Sequence, residues 1–432
     1  MGYQPMACVR MRKNMGNVLI FLAGLAVYAG YGISGFVYLG AAVIFSYLAG
    51  LLIPRFRWVM WFSAAGNAMM LLAVKLQDAA GAEWISVLGI SYFTLKILSY
   101  HGDLYRGKYP PETNFFRYAL YITYLPQLFL GPIERFDVFS ANLGNRHADG
   151  DGIWEGAARI LWGLLKILVI SARAAVAVSA ISADPETYRG AYALAAMILY
   201  YVQLYTDFSG GVDVIIGVSR MLGIRVSENF RTPYLAETVQ EFWRCWHITL
   251  GDWLRDYVYI PLGGSRRGHL RRVCNTVVTF LVSGLWHGAN YLLWGLLNGV
   301  LVLVGGKCKT GSKFFNRLGT FLVISFLWAF FVWPDTVTSL QMILSVFTEF
   351  DINGFVGNML VLGQGMGEWI VLACGSIALG VYELHREQFD RGFLRCGPAG
   401  RTAIVCALGL IVLVFGMYGI GFEVDAFIYS KF

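Results

Sequence analysis

Long apolar runs separated by short polar breaks recur along the whole chain. They cover residues 18–34, 36–53, 58–76, 83–100, 117–133, 157–182, 190–206, 211–224, 240–260, 273–289, 290–305, 318–333, 337–348, 367–384 and 402–420. A helix needs about twenty consecutive apolar residues to cross the hydrocarbon core of a bilayer. The shorter or glycine-broken runs, such as 83–100, 190–211 and 284–299, read as re-entrant or half-spanning pieces. Such backbone is tolerated only where protein or a water-filled cavity covers it. The pattern predicts an all-α polytopic membrane protein, with about eleven spanning helices and re-entrant segments around a central funnel. No internal repeat and no linker divides the sequence, so residues 1–432 are expected to form a single integral-membrane domain.

Composition supports the membrane assignment. The chain is 57% hydrophobic and 14% charged, against about 25% charged residues in a typical soluble domain. Its mean hydropathy is +0.57. Arg10, Arg12 and Lys13 precede the first apolar run, which extends past the length of a signal h-region and reads as a first membrane hairpin. The formal charge of +7 comes from basic residues at segment ends, with no basic strip interleaved with aromatics, which argues against a nucleic-acid partner. Arg55 and Arg57, then Arg266, Arg267, Arg271 and Arg272, then Lys307, Lys309, Lys313 and Arg317 mark loops expected on the cytoplasmic side. The seven cysteines contain no C-x-x-C pair and read as small buried hydrophobes. The six histidines are dispersed without metal-ligand spacing, so no metal site is expected, and neither a G-x-S-x-G elbow nor a P-loop occurs.

Chemistry concentrates at about residues 200–300. Two histidines there each follow a tryptophan: Trp246-His247 and Trp286-His287. An ionisable group in an apolar segment is costly and marks a candidate functional site. Imidazole is also the side chain best matched to moving a proton near neutral pH. Around them lie Asp207, Asp213, Arg220, Glu228, Asn229, Arg231, Glu241, Arg244, Asp252, Arg255, Asp256 and Asn290. Glu241 and Arg244 are three apart, as are Asp252 and Arg255, a spacing that allows pairing on a helix. Such pairs either lock helices together or serve a site. Asp207 and Asp213 flank two glycines and either line a cavity or cap a short helix. Arg266 and Arg267 in Pro261-Leu-Gly-Gly-Ser-Arg-Arg either anchor a phosphate-bearing donor or form a plain interfacial basic loop.

Together these strings resemble the membrane-bound O-acyltransferase family. The motifs that carry the resemblance are Asp207-Phe-Ser-Gly, Glu228-Asn-Phe, Pro233-Tyr-Leu, Glu241-Phe-Trp-Arg-Cys-Trp-His-Ile-Thr-Leu, Trp253-Leu-Arg-Asp-Tyr-Val-Tyr-Ile-Pro-Leu-Gly-Gly-Ser-Arg and Gly284-Leu-Trp-His-Gly-Ala. Gly89-Ile-Ser-Tyr-Phe-Thr, Asp103-Leu-Tyr-Arg-Gly-Lys and Pro126-Gln-Leu-Phe-Leu-Gly-Pro-Ile extend it upstream, and Phe427-Ile-Tyr closes it. Tyr259-Ile-Pro-Leu-Gly-Gly-Ser-Arg266 favours the alginate O-acetyltransferase branch and its bacterial relatives over the D-alanyl transfer subunits of the teichoic-acid system.

The resemblance implies a multi-pass protein of a bacterial cytoplasmic membrane that moves an acyl group, read as acetyl, from a thioester donor such as acetyl-CoA. The transfer runs from the cytoplasm toward an extracytoplasmic polysaccharide hydroxyl, through an SGNH-type partner. It places the family's catalytic histidine on His287 and its second active-site position on His247. Asp207, Asn229, Glu241, Arg244, Trp246, Trp286 and Asn290 are the expected supporting or substrate-lining residues, and Arg266 and Arg267 the expected donor contacts. Elementary chemistry agrees, since transfer from a thioester to a hydroxyl needs a base for the hydroxyl proton and a polar group for the developing oxyanion. A transporter would favour paired broken segments in two halves, whereas here the polar cluster stays near 200–298. A scaffold would have no need of two imidazoles in apolar surroundings.

Overall fold

A computed structural model describes residues 6–79, 87, 89–128, 130–305 and 309–418. The Phe427-Ile-Tyr string, Lys307, Cys308 and part of the 83–100 run lie outside the described residues, as does Phe129 of the Pro126 motif. The described residues are helical and contain no strand. They divide into two compact units: 1–149 with 218–227, and 150–217 with 228–432.

The first unit holds α1 (Met6–Tyr31), α2 (Ile33–Leu52), α3 (Trp58–Ala79), α4 (Ile90–Tyr105), α5 (Phe115–Thr123) and α6 (Phe136–Gly144). Its core is an aromatic cluster of Tyr100, Tyr118, Tyr121, Tyr124, Phe136 and Phe139. Lys96 is buried among these rings, and its ammonium is satisfied by the Tyr121 carbonyl at 2.8 Å and Gln127 Oε1 at 3.1 Å.

The second unit holds α7 (Gly150–Leu165), α8 (Ala172–Ala183), most of α9 (Ala191–Met221), α10 (Val239–Cys245), α11 (Ile248–Leu254), α12 (His269–His287), α13 (Leu292–Val304), α14 (Lys313–Val332), α15 (Thr336–Thr348), α16 (Ile352–Asn358), α17 (Met366–Arg395) and α18 (Pro398–Phe415). A π-helical turn over Lys166–Ser171 joins α7 to α8, making one apolar stretch of 34 residues.

Five stretches of described residues are long and apolar enough to cross a bilayer: Ile33–Leu52, Gly150–Ala183, Lys313–Val332, Met366–Arg395 and Pro398–Phe415. Only 6% of the apolar window of α18 is buried inside the protein. An apolar face that open is at home in lipid and not in water.

Three expectations change. The runs 190–206 and 211–224 form one continuous helix, α9. Gly210 makes no break; it lets α9 approach α7, where an added Cβ would lie 2.7 Å from the Gly163 carbonyl oxygen. The run 240–260 crosses nothing as a single helix, because α10 and α11 are separated at Trp246-His247 and a π-turn over Arg255–Tyr259 follows. The five described cysteines are free, and Cys274, Cys374 and Cys406 are exposed rather than buried.

The helices α12 and α13 form an antiparallel hairpin whose closeness depends on small residues. A Cβ on Gly295 would sit 2.4 Å from the Phe280 carbonyl oxygen, and one on Gly284 would sit 2.5 Å from that of Tyr291. Gly295→Val must therefore push the two backbones apart, which is expected to cost ~1–3 kcal/mol. Gly319→Ala on α14, where a Cβ meets nothing within 4 Å, should be neutral or slightly stabilising. Thermal melts of the purified full chain in detergent compare the two. Equal midpoints would contradict the close hairpin.

Candidate functional site

Helix α10 starts at a well-formed cap, where the Thr238 hydroxyl accepts the Glu241 N–H at 3.1 Å. It ends after seven residues, and the chain turns sharply at His247, whose φ and ψ of 45° and 53° are left-handed. Few non-glycine residues adopt that conformation, and in a folded protein it must be held by its surroundings.

Asn229 does much of the holding. Its backbone carbonyl accepts the Ile248 N–H at 2.9 Å. Its side-chain Oδ1 accepts the Thr249 N–H at 3.1 Å and the Thr249 hydroxyl at 2.9 Å, and lies 3.2 Å from His247 Nδ1. Asn229 and His247 are both buried, at 0% and 3% exposure. His247 lies outside the five stretches long enough to cross a bilayer, and burial pushes its imidazole down to about 3, so the ring is neutral. Its Nε2 and the Asn229 Nδ2 are buried and have no hydrogen-bond partner among the described residues.

His287 is the last residue of α12, directly before Gly288 at φ 147°. It is half-buried. Its ring meets Trp286 at 4.7 Å, Trp294 and Phe331 at 5.5 Å, and Tyr291 at 6.2 Å between centroids. Trp286 also meets His247, at 6.3 Å. The two histidines thus share one tryptophan neighbour. Phe208, next to buried Asp207 on α9, packs edge-on against His247 at 4.9 Å.

The remaining expected residues are less uniform. Trp246 is buried against Phe230, Phe242 and Trp328. Glu241 does not pair with Arg244 as its spacing predicts; its carboxylate takes Lys309, from the segment before α14, at 3.0 Å. Arg244 and Asn290 are exposed. Asp252 and Arg255 do pair, at 2.6 Å. Arg266 and Arg267 are exposed in the turn before α12, at the opposite end of that helix from His287. From His269 to His287 the helix rises about 27 Å at the usual 1.5 Å per residue.

Sequence spacing does not reveal a second cluster that adjoins this one. Arg159 of α7 grips both Glu228 oxygens at 2.6 Å and reaches Asp213 of α9 at 2.8 Å. Lys166, at the start of the π-turn, meets Asp213 at 2.5 Å and the Ser209 hydroxyl at 3.0 Å. Arg386 of α17 takes Glu228 at 3.2 Å, and Tyr205 donates a short hydrogen bond to Glu383. These groups line a cavity of about 20 Å³, room for about one water. It shares Glu228, Thr232, Glu383 and Arg386 with a more open cavity of about 520 Å³. A signal was present in the sequence, because Arg159, Lys166 and Glu383 each interrupt an apolar run. Glu228 immediately precedes Asn229, so the ion cluster fixes one end of the segment that holds His247.

Comparison with known families places the whole chain. The model of the membrane-bound O-acyltransferase family matches residues 83–347, a stretch containing both histidines. The chain belongs to the membrane-bound O-acyltransferase family. It is 33% identical over 331 residues to the "Probable alginate O-acetylase AlgI" of Pseudomonas fluorescens, covering 73% of this chain and 67% of that one. It is 28% identical to the peptidoglycan O-acetyltransferase of Helicobacter pylori, over 77% and 73% of the two chains. It is 26% identical to the teichoic acid D-alanyltransferase of Bacillus subtilis, over 71% and 78%. The protein is thus a multi-pass membrane O-acyltransferase.

The ion cluster of this acyltransferase can be tested by itself. Asp213→Leu leaves buried Lys166 and half-buried Arg159 with too little negative charge, and should cost ~3–5 kcal/mol. Adding Lys166→Met should recover part of that loss, because the orphaned ammonium goes with it. Melting of single and double variants in detergent measures both. Simple additivity of the two losses would rule out the coupling.

Proposed function

We propose that this O-acyltransferase takes an acetyl group from a cytoplasmic thioester, acetyl-CoA, and passes it toward an extracytoplasmic polysaccharide hydroxyl. An SGNH-type partner receives the group and completes the transfer. The protein sits in a bacterial cytoplasmic membrane, with about eleven spans around a central funnel. His287 is the base. The observation that carries this reading is its placement: an imidazole at a glycine-broken helix end, half-buried among four aromatic rings, sharing Trp286 with a second histidine.

The chemistry follows. His287 removes the hydroxyl proton as the oxygen attacks the thioester carbonyl. The carbonyl π-electrons collect on oxygen and return as the C–S bond breaks, and the thiolate takes the proton back. His247, fixed by Asn229, holds the reacting group in register, and Trp286 and Trp246 keep water away. Asp207, Glu241, Arg244 and Asn290 are supporting residues around this centre.

Arg266 and Arg267 are read as contacts for the donor's phosphates. Between Asp256 and Asp335 the sequence contains eight Lys and Arg residues and no acid. The hairpin brings the N-terminus of α12 and the C-terminus of α13 to one end, the end that carries those cations. The positive-inside tendency supports a cytoplasmic position for it. His287, at the other end of α12, then lies deep toward the opposite face.

The likeness to a teichoic acid D-alanyltransferase also supports a second reading, in which the acyl group is D-alanyl. Purified protein, with and without a partner, should transfer label from acetyl-CoA, and His287→Ala should reduce turnover by about 10²–10⁴-fold while the variant still melts like the parent. Near-normal turnover of His287→Ala sinks the base assignment. Transfer from a D-alanyl thioester in place of acetyl-CoA would move the protein to the second reading.

A further inference from the structure

We infer that Asn229 is a positioning residue that fixes the tautomer of His247, so that Nε2 presents a bare lone pair to the reaction space. The inference rests on the reading of His247 as part of the acyl-transfer site and gives it a defined polarity. It starts from the identity of the Asn229 oxygen. In an amide, oxygen and nitrogen are easily exchanged when a side chain is placed. Here the Thr249 backbone N–H decides. It can only donate, and the amide atom 3.1 Å from it must therefore be the oxygen. The same oxygen lies 3.2 Å from His247 Nδ1.

An oxygen acceptor facing Nδ1 requires a hydrogen there. A neutral imidazole carries only one ring proton, so Nε2 is left as an acceptor. Phe208 at 4.9 Å and the left-handed backbone at His247 oppose rotation of the ring. The Nε2 atom is buried and has no partner among the described residues. Its complement is a donor, and an acceptor carries donors besides the hydroxyl that reacts. His247 thus receives a hydrogen bond from a donor beside the reacting hydroxyl, whose own proton goes to His287, and so orients the acceptor for attack. In this tautomer it offers no N–H to a thioester carbonyl, so any oxyanion donor comes from elsewhere.

The tautomer can be read without any substrate. Full-length protein labelled with ¹⁵N-histidine is reconstituted in lipid, and His247 is assigned by difference from His247→Gln. Nitrogen shifts separate bare from protonated ring positions. At neutral pH, Nε2 of His247 is expected in the bare region and Nδ1 in the protonated region. Asn229→Asp keeps an acceptor oxygen and should keep that pattern. Asn229→Leu removes it and should shift the signal to Nε2–H or to a mixture. An Nε2–H signal in the parent protein, or an unchanged pattern in the leucine variant, overturns the inference. If the leucine variant does not fold, the parent and aspartate spectra still decide between the tautomers. Because no acyl donor is present, failure of the transfer assay with His287→Ala would leave this result standing.

Discussion

The site depends on a cluster of charges that could not be buried one at a time. Arg159, Lys166, Asp213, Glu228 and Arg386 lie on α7, its π-turn, α9, the segment after α9 and α17, and each meets an opposite charge within 3.2 Å. Desolvating any of them alone would cost several kcal/mol. Removing one partner strands the others, so the helices are tied together through specific atoms as well as through apolar packing. Glu228 is the member joined most directly to His247. Arg159 grips both its oxygens, and the next residue is Asn229, whose side chain and backbone hold Ile248, Thr249 and His247. A chain of contacts therefore runs from a buried ion cluster to an imidazole that makes no ion pair of its own.

The two Trp-His pairs look equivalent in sequence and are built differently. His247 is buried and neutral, with a left-handed backbone that Asn229 and the start of α11 hold in place. His287 is half-buried at a helix end, next to a glycine and within a cage of aromatic edges. One position suits a fixed hydrogen-bond acceptor. The other has the exposure that a group exchanging a proton with substrate requires. Trp286 packs beside both rings.

Much of this was legible in the sequence. The break at His287 followed from Gly284, Gly288 and the apolar runs on either side, whereas the close packing of α12 on α13 did not, because 284–299 reads as a re-entrant piece. The family followed from strings whose combination is specific. What escaped was anything that requires partners far apart in the chain. Glu241 finds Lys309, 68 residues on, and not the arginine three residues away. Asp213 is joined by Arg159 and Lys166 from another helix, and Gly210 serves helix packing where a break was expected. Local spacing identifies neighbours on one helix only. The choice among competing partners is made by how α7, α9 and α17 pack.

The geometry of α12 constrains the donor more than any single residue does. Its first turn is basic, and its last residue is His287, about 27 Å away along the helix. That distance approaches the ~30 Å thickness of the hydrocarbon core. A small acyl donor cannot touch both ends. If the arginines at the turn hold the donor, it must have an anionic head and a thioester at the end of a long flexible arm. The arm would have to run inside the protein, because a thioester and its amides are poorly solvated by lipid. A donor with no such arm would have to bind near His287 itself, and Arg266 and Arg267 would then serve only the membrane surface. The length of one helix thus separates two classes of donor that the catalytic residues alone would treat alike.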